Sequence, residues 1–392
     1  MSVVRKACRT GTHRAVLPEQ TWESISPLLP DYGVTRIANV TGLDVLGIPV
    51  AMAVRPLART LSVSQGKGQT LLLAKVSAAM ESMEFWHAEF GHPGLAHAGV
   101  PAADLRLPYR IDQISSGPGS LVTENTPLDW VDARGMCTGA TVAVPARIVT
   151  VPLDQRAWAP PGLEWNTNGL ASGNTRAEAG LHALYEVIER DAVSLRIDGV
   201  STAYVEPMSV TDPDCAELIE RIIAAGATLR IVHVQSRFDV PCFGATLWSS
   251  EFPVTCLGWG AHLDPGVALS RAVTEAAQSR LTAIAGSRDD LSPLYQQVRT
   301  STDVPAPIDG PVVSWDEVAA NIGPGAFDDL DEDLDWVCRK TMDVVGAEPL
   351  CVDLSTVDEF AVVTVLVPGA VHDGTLVHDA RGISRLRTIE GW

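Results

Sequence analysis

The sequence predicts a helix that is apolar except for one polar face. The segment VSAAMESMEF, residues 76–85, carries Ser77, Glu81 and Glu84 among alanine, methionine and aromatic residues. At about 100° per residue, these three side chains project within roughly 60° of one another. Such a face predicts either a solvated helix surface or a site that binds a cation.

A second acidic face is predicted in the helix that follows NGLASGNTRAEA. Glu178, Glu186 and Glu189 lie within about 80° of one another on this helix, separate from its apolar stripe. Both helices contain an E-x-x-E step, and both have a polar residue four places before its first glutamate, Ser77 and His182 respectively. The two helices therefore show a weak internal similarity.

Each helix follows a polar, glycine-rich segment with the composition of a phosphate-binding loop. SQGKGQT offers backbone amides and Lys67, and NGLASGN offers Asn168, Gly169, Gly173 and Asn174. Neither has the Walker spacing G-x-x-x-x-G-K-[ST]. If the glutamates share a partly buried site, their mutual repulsion requires cations, and hard divalent ions held with nucleotide phosphates meet that need. Two solvated faces are the alternative.

Composition excludes several classes of protein. The 392 residues are 46% hydrophobic with a formal net charge of −19, and no Lys/Arg cluster occurs, which disfavours a nucleic-acid partner. Seven cysteines are scattered singly without zinc-ligand spacing, as expected in a reducing cytoplasm, and Cys8 is predicted to be the least buried. No signal peptide is predicted, and the longest apolar run, FAVVTVLVPGAV, is interrupted by Pro368, so no membrane segment is expected.

Periodicity predicts a mixed α and β protein. Strands are expected in TGLDVLGIPVAMAVRP, GATVAVPARIVTVPL, TLRIVHV, FGATLW and EFAVVTVLVP. Besides the two acidic helices, a third is predicted with Asp264 as N-cap, Pro265 in its first turn and Gly286 at its end. Residues 91–120 are predicted to be loop, and residues 300–335, with the acidic DDLDEDLD, a surface excursion.

These segments resemble the YcaO family. TGLDVLGIPV, the GKG turn, SAAMESME, NGLASGNTRAEA and EVIERDA occur in the family's order, and the likeness extends over most of residues 35 to 290. The resemblance implies an α+β fold of mixed sheets packed with long helices, a non-Walker ATP site between the acidic helices, and ATP and Mg²⁺ as cofactors. It also implies an N-terminal segment at 1–34, a catalytic core at 35–295 and a region at 296–392 that completes the same domain.

The resemblance also assigns roles to particular residues. The implied Mg²⁺ ligands are Glu81, Glu84, Glu178, Glu186 and Glu189. The implied nucleotide contacts are Lys67, Ser77, Asn174, Arg190 and Gln278, and the implied catalytic groups are Arg190, Gln278 and Arg288.

Three assignments stay open. Arg271, Glu275 and Gln278 share a face of the third helix, which is also what an ordinary amphipathic helix shows. The family contributes an N-terminal basic residue to the nucleotide, and the candidates here are Lys6, Arg9 and Arg14. His182 is either a substrate contact or a packing residue behind the carboxylates.

The family modifies peptide backbones with ATP. A nucleophile adds to a backbone amide carbon, the resulting oxyanion takes the γ-phosphoryl group, and phosphate then leaves. Side chains of Cys or Ser in the substrate give azolines, sulfide gives a thioamide, and an amine gives an amidine.

Two features favour the thioamide branch. The chain ends LRTIEGW, without the PxPxP tail of azoline-forming members, and TEAAQSRLTAIAGSRDDL resembles the TfuA-associated members. We therefore expect a cytoplasmic homodimer that forms backbone thioamides in a ribosomally made precursor peptide, with a TfuA-like or leader-binding partner. Azoline-forming and macroamidine-forming members are the alternatives. A non-catalytic docking or regulatory subunit is an alternative of another class, and the occupied acidic positions argue against it.

Overall fold

The computed structural model describes residues 5–114, 120–152, 161–197, 202–288, 304–305, 307–308, 310–320 and 322–371. Among these residues, no helix has the length and apolar character needed to cross a membrane.

The described chain mixes helices and strands. The helices are α1 (Pro18–Ile25), α2 (Leu71–Phe90), α3 (Ala146–Val149), α4 (Arg176–Ile197), α5 (Pro213–Ala224), α6 (Pro265–Ala285), α7 (Trp315–Ala319) and α8 (Leu330–Val345). The strands are β1 (Arg36–Asn39), β2 (Val50–Val54), β3 (Val63–Lys67), β4 (Leu95–Pro101), β5 (Pro127–Gly135), β6 (Thr141–Pro145), β7 (Leu170–Gly173), β8 (Thr202–Val205), β9 (Thr228–Val234), β10 (Cys242–Ser249), β11 (Phe252–Ala261), β12 (Val312–Val313), β13 (Leu350–Asp353) and β14 (Ala361–Leu366).

The chain divides into two compact units, each assembled from segments that are distant in sequence. The first unit contains Arg5, Met83–Ser194 and residues 327–371. The second unit contains Lys6–Ser82 and Leu195–Ala326. Helix α2 therefore begins in the second unit and ends in the first.

The second unit contains two sheets. One has the order β1-β2-β3, and the other has the order β11-β10-β9-β8-β12. Helix α6 packs against β10 and β11 over a core that includes Phe243 and Leu269. Asp264 caps α6 by accepting the N–H of Gly266 at 2.9 Å, and Gly286 ends the helix in the left-handed conformation with φ of 59°. The predicted limits of this helix are confirmed.

The first unit contains one sheet of order β4-β5-β13-β14-β7, with β6 paired to β5. Trp130 of β5 and Leu184 of α4 are among its fully buried side chains. Helix α4 begins after Thr175, whose hydroxyl accepts the N–H of Glu178 at 3.1 Å. The apolar stripe predicted for α4 is buried, and the predicted helix is confirmed.

Two segments predicted as loops contain strands. Strand β4 lies within residues 91–120, and β7 lies within NGLASGN. β7 forms because it pairs with β14, from Leu170 opposite Thr364 to Gly173 opposite Ala361. A strand whose partner is so distant in the chain leaves little local signal. Conversely, Ala146–Val149 within the predicted strand GATVAVPARIVTVPL form the short helix α3.

The acidic run DDLDEDLD is not a surface excursion. Asp329 caps α8 by accepting the N–H of Glu332 at 2.8 Å, and the fully buried Asp333 accepts the N–H of Phe327 at 2.8 Å. Acidic residues stabilise the start of α8, because a helix N-terminus carries unsatisfied N–H groups and a partial positive charge. Trp315 of α7, also in the predicted excursion, is buried in the core of the second unit.

Candidate nucleotide and magnesium site

In the structure, the carboxylate of Glu81 binds the edge of a sheet. Glu81 is half-buried on α2 and accepts the backbone N–H of Gln65 at 3.0 Å. Gln65 lies in β3, the edge strand of its sheet, where an N–H that points away from the neighbouring strand needs another acceptor. Glu81 therefore stabilises the fold, in addition to any role in binding a ligand.

Gln65 connects three elements of the second unit. Its carbonyl accepts the side-chain amide of Gln278 at 3.3 Å, and its side-chain oxygen accepts the hydroxyl of Thr282. The side chain is 2% exposed, so these bonds hold β3, α2 and α6 in a defined arrangement. Sequence reasoning missed Gln65. The signal that could have found it is a polar residue inside a buried strand.

Lys67, expected to contact phosphate, forms an ion pair with Glu275 of α6. Their side chains are 16% and 30% exposed, so the pair is only partly solvated. Glu275 shares a helix face with Gln278, as the spacing predicts. In the structure, Lys67 thus neutralises the charge of Glu275. The sequence alone assigned no role to Glu275.

The environment of Glu81 disfavours its charged form. The pKa of Glu81 is raised from 4.5 to about 7, mainly by desolvation and to a lesser degree by the charge of Glu275. Arg288, the Gln65 N–H and Lys67 act in the opposite direction. A bound cation stabilises the charged form of such a desolvated carboxylate, because the attraction between the two charges offsets the cost of desolvation.

The glycines of SQGKGQT serve packing. This segment is the end of β3 and the turn that follows, not a free loop. A Cβ atom on Gly66 would lie 2.0 Å from the backbone nitrogen of Ala78 on α2. On Gly173 it would lie 2.5 Å from the backbone nitrogen of Ala179 on α4. Both glycines are needed because strand and helix backbones approach too closely for any side chain.

In the first unit, Glu84 repeats the arrangement of Glu81. It accepts the backbone N–H of Ser172 at 2.8 Å and the hydroxyl of Ser172 at 2.5 Å. Ser172 lies in β7, which is an edge strand of the sheet in this unit. Ser172 is the second residue that sequence reasoning missed, because NGLASGN was interpreted as loop.

Helix α4 presents the other carboxylates of the first unit. Glu178 is 3% exposed and accepts the amide of Asn174 at 3.0 and 3.1 Å. Glu186 lies 3.5 Å from the guanidinium of Arg190. Glu189 is 5% exposed. The helix thus carries buried or half-buried acidic groups, and the solvated-face interpretation does not describe it.

The remaining candidates are distributed over both units. Ser77 is half-buried one turn before Glu81 on α2, and His182 is half-buried one turn after Glu178 on α4. Of the N-terminal candidates, Lys6 is buried, and Arg14 accepts the backbone N–H of Cys8 through its carbonyl at 3.2 Å. Asp191, which the sequence analysis did not single out, is fully buried on α4 and accepts the N–H of Val371 at 2.7 Å.

Each unit offers oxygen ligands of the kind that suit a hard divalent cation. In the second unit, Glu81 and the amide of Gln278 both bind Gln65. In the first unit, Glu178 accepts the amide of Asn174, and Glu186 lies near Arg190. Mg²⁺ prefers oxygen ligands of this kind. The described chain is thus an α+β protein whose helices α2 and α4 carry buried and half-buried glutamates, next to glycine segments that lack the Walker spacing.

Comparison with known proteins identifies the family. The model described as "YcaO cyclodehydratase, ATP-ad Mg2+-binding" matches residues 65–371. The chain belongs to the YcaO family, its fold is of that α+β type, and its cofactors are ATP and Mg²⁺.

Three similar proteins illustrate the relationship. An uncharacterised protein of Mycobacterium tuberculosis is 42% identical over 93% of this chain and 84% of its own length. An uncharacterised protein in the tfuA 3' region of Rhizobium leguminosarum bv. trifolii is 40% identical over 74% of this chain and 71% of its own. The structure of YcaO from Methanopyrus kandleri, bound with AMPPCP and Mg²⁺, matches with a TM-score of 0.69 and 26% identity over 94% of both chains.

Proposed function

We propose that this protein uses ATP and Mg²⁺ to activate a backbone amide of a peptide. The metal ligands in this proposal are Glu81, Glu84, Glu178, Glu186 and Glu189, and the nucleotide contacts are Lys67, Ser77, Asn174, Arg190 and Gln278. The observation that carries it is the desolvated carboxylate of Glu81 in a chain of an ATP- and Mg²⁺-binding family. The M. kandleri relative supports it through its bound AMPPCP and Mg²⁺.

The protein's own residues would act by positioning and by charge. Arg190 and Arg288 stabilise negative charge that spreads over the transferring phosphoryl oxygens, and Gln278, held by Gln65, orients the nucleotide. Bound Mg²⁺ neutralises phosphate charge. In this scheme, Lys67, which pairs with Glu275, would hold the nucleotide phosphates. The carboxylates hold metal and need not act as bases.

The product we propose is a backbone thioamide, formed with a TfuA-like partner. The supporting observation is the 40% identical relative from the tfuA 3' region of R. leguminosarum. Azoline formation is the second candidate, favoured by the description of the family as a cyclodehydratase family.

The nucleophile separates these candidates. Precursor peptide incubated with this chain, a TfuA-like partner, Mg-ATP and sulfide should exchange one oxygen for sulfur, with release of ADP and phosphate. An internal side chain has a large effective molarity, so external sulfide succeeds only where the site keeps such side chains away. Loss of water without sulfide, abolished when a neighbouring Cys of the peptide is replaced by Ala, would instead establish azoline formation. Mass spectrometry of the peptide decides between the two outcomes.

A further inference from the structure

Three residues of the second unit form a closed ring of hydrogen bonds. The side-chain amide of Gln278 donates to the carbonyl of Gln65 at 3.3 Å, and the hydroxyl of Thr282 donates to the carbonyl of Gln278 at 2.7 Å. The Thr282 hydroxyl is also hydrogen-bonded to the side-chain oxygen of Gln65, which closes the ring. Because Gln65 lies in β3 and the other two residues lie in α6, the ring joins a strand to a helix at two points.

The ring is largely closed to solvent. Gln65 is 2% exposed, Thr282 is 7% exposed and Gln278 is half-buried. Gln278 and Thr282 are four residues apart, so their side chains project from the same face of α6. Water therefore competes little for these groups, and the bonds of the ring determine where the Gln278 amide lies.

The main chain of Gln65 connects this ring to Glu81. Its N–H donates to the Glu81 carboxylate at 3.0 Å, and its carbonyl accepts the Gln278 amide. The two groups belong to successive peptide planes, so the φ and ψ angles of Gln65 set their relative direction. Thr282 holds the side chain that projects between these planes. One hydroxyl group thus restrains the residue that binds both a proposed metal ligand and a proposed nucleotide contact.

The Gln65 side chain does more than stabilise the fold. Among the groups that the structure describes, none accepts a hydrogen bond from its buried side-chain nitrogen. A buried donor without an acceptor destabilises a fold, and a methionine of similar size would avoid that effect. The bond between Gln65 and Thr282 therefore contributes mainly by fixing positions.

We propose that Gln65 and Thr282 are positioning residues that hold the Gln278 amide in place for the nucleotide. The inference rests on the nucleotide contact proposed above for Gln278. A side chain that is already ordered loses less conformational freedom when a ligand binds, so it contributes more to affinity. Without the Thr282 hydroxyl, the Gln65 side chain loses its bond and the Gln278 amide is less restrained. Affinity for the nucleotide then falls, although Thr282 acts only through its neighbours.

A second threonine of α6 provides a matched control. Thr274 is 3% exposed, and its hydroxyl donates to the carbonyl of Ser270 at 2.7 Å. This is the same bond within the helix that Thr282 makes to Gln278. Of the two threonines, both within the described part of the chain, only Thr282 is bonded to Gln65.

The first test removes one hydroxyl at a time. Calorimetric titration of the full chain with AMPPCP and Mg²⁺ measures the dissociation constant of the nucleotide. Thr282→Val should raise that constant about tenfold, which is the effect of one hydrogen bond. Thr274→Val should match the wild type, and so should Thr282→Ser, which keeps the hydroxyl.

The second test separates positioning from stability. Gln65→Met should raise the dissociation constant about tenfold, while its midpoint of chemical denaturation stays at or above that of the wild type. A purely structural role predicts a lower midpoint together with unchanged affinity. The double variant Gln278→Ala/Thr282→Val should bind more tightly than the product of the two single effects predicts, because Thr282 acts through Gln278.

The outcomes distinguish this inference from the proposed function. If Gln278→Ala weakens binding and Thr282→Val binds like Thr274→Val, the positioning role is overturned and the nucleotide contact stands. Full additivity in the double variant also overturns the positioning role. If Gln278→Ala binds AMPPCP normally, the contact proposed for Gln278 fails, and the positioning role fails with it.

Discussion

At the scale of the residue, the surroundings of Glu81 act on its pKa in opposite directions. It accepts an N–H from a sheet edge, which favours its charged form, and it is desolvated, which disfavours that form. Desolvation is the larger effect, so the pKa of Glu81 lies near 7. A cation bound at the proposed site would favour the charged form of Glu81, and this leads to two predictions.

Replacing Glu81 by Gln should remove one of the proposed metal ligands while keeping the size of the side chain and its hydrogen bond from the N–H of Gln65. Loss of one preorganised charge in a phosphoryl-transfer site should raise the barrier by about 3 kcal/mol, which is about a hundredfold in rate. Peptide-dependent release of phosphate is the measurement. Glu220→Gln, on an exposed position of α5, is the matched control and should keep the wild-type rate. Normal turnover by Glu81→Gln would remove this residue from the site.

Binding of Mg²⁺ should release a proton from Glu81. In the folded, metal-free protein its pKa is raised from 4.5 to about 7, so the stability that Glu81 contributes is fully present below pH 4.5 and is lost as the pH rises through about 7. Mg²⁺ must displace the proton, and its affinity should therefore increase as the pH rises toward 7. Calorimetry in buffers of different ionisation enthalpy measures the released protons. Unchanged proton release in Glu81→Gln would assign the proton to another group.

At the scale of the element, the backbones of strands β3 and β7 pack directly against the backbones of helices α2 and α4, because a glycine lies at each contact. Gly66 on β3 and Gly173 on β7 let the backbones of α2 and α4 approach, and this approach brings Glu81 to Gln65 and Asn174 to Glu178. The glycines that suggest phosphate binding in the sequence are thus explained by packing.

Gly66→Ala should destabilise the fold by about 3 kcal/mol, because its Cβ would overlap the backbone of α2. The added methyl group cannot be accommodated by a side-chain rotation, since the atoms it meets belong to the helix backbone. Gly42→Ala is the matched control in the same unit, with nothing within 4 Å of the new methyl group. Chemical denaturation of both variants provides the comparison, and equal midpoints would contradict the packing explanation.

At the scale of the whole molecule, the net charge of −19 disfavours a nucleic-acid partner, and the partner proposed above is a TfuA-like protein. We expect the isolated chain to be folded and to modify precursor peptide slowly until a TfuA-like protein is added. The initial rate with and without that protein, at low peptide concentration, measures the dependence. A full rate from the chain alone would show that these residues recognise the peptide unaided. The expected homodimer can be checked on the same samples by sedimentation.

Local chemistry made much of the fold predictable. The limits of α6 follow from a capping aspartate, a first-turn proline and a terminal glycine, and α2 and α4 follow from helical periodicity. The acidic helix faces were also predictable, because the positions of Glu81, Glu84 and Glu178 on their helices depend only on spacing. Strands β4 and β7 were not predictable in this way, since their residues are strand only because distant strands pair with them.

Which helices form, which of their faces are acidic and which family the chain resembles could be predicted from the sequence, because these properties depend on neighbours a few residues apart. Only the tertiary structure decided that Gln65 binds Glu81 and Gln278, that Lys67 pairs with Glu275, and that the glycine segments serve packing. It also decided that Cys8, expected to be the least buried cysteine, is buried, whereas Cys137 is exposed. The physical reason is that burial and charge pairing arise between residues far apart in the chain, where no local spacing records which groups will meet.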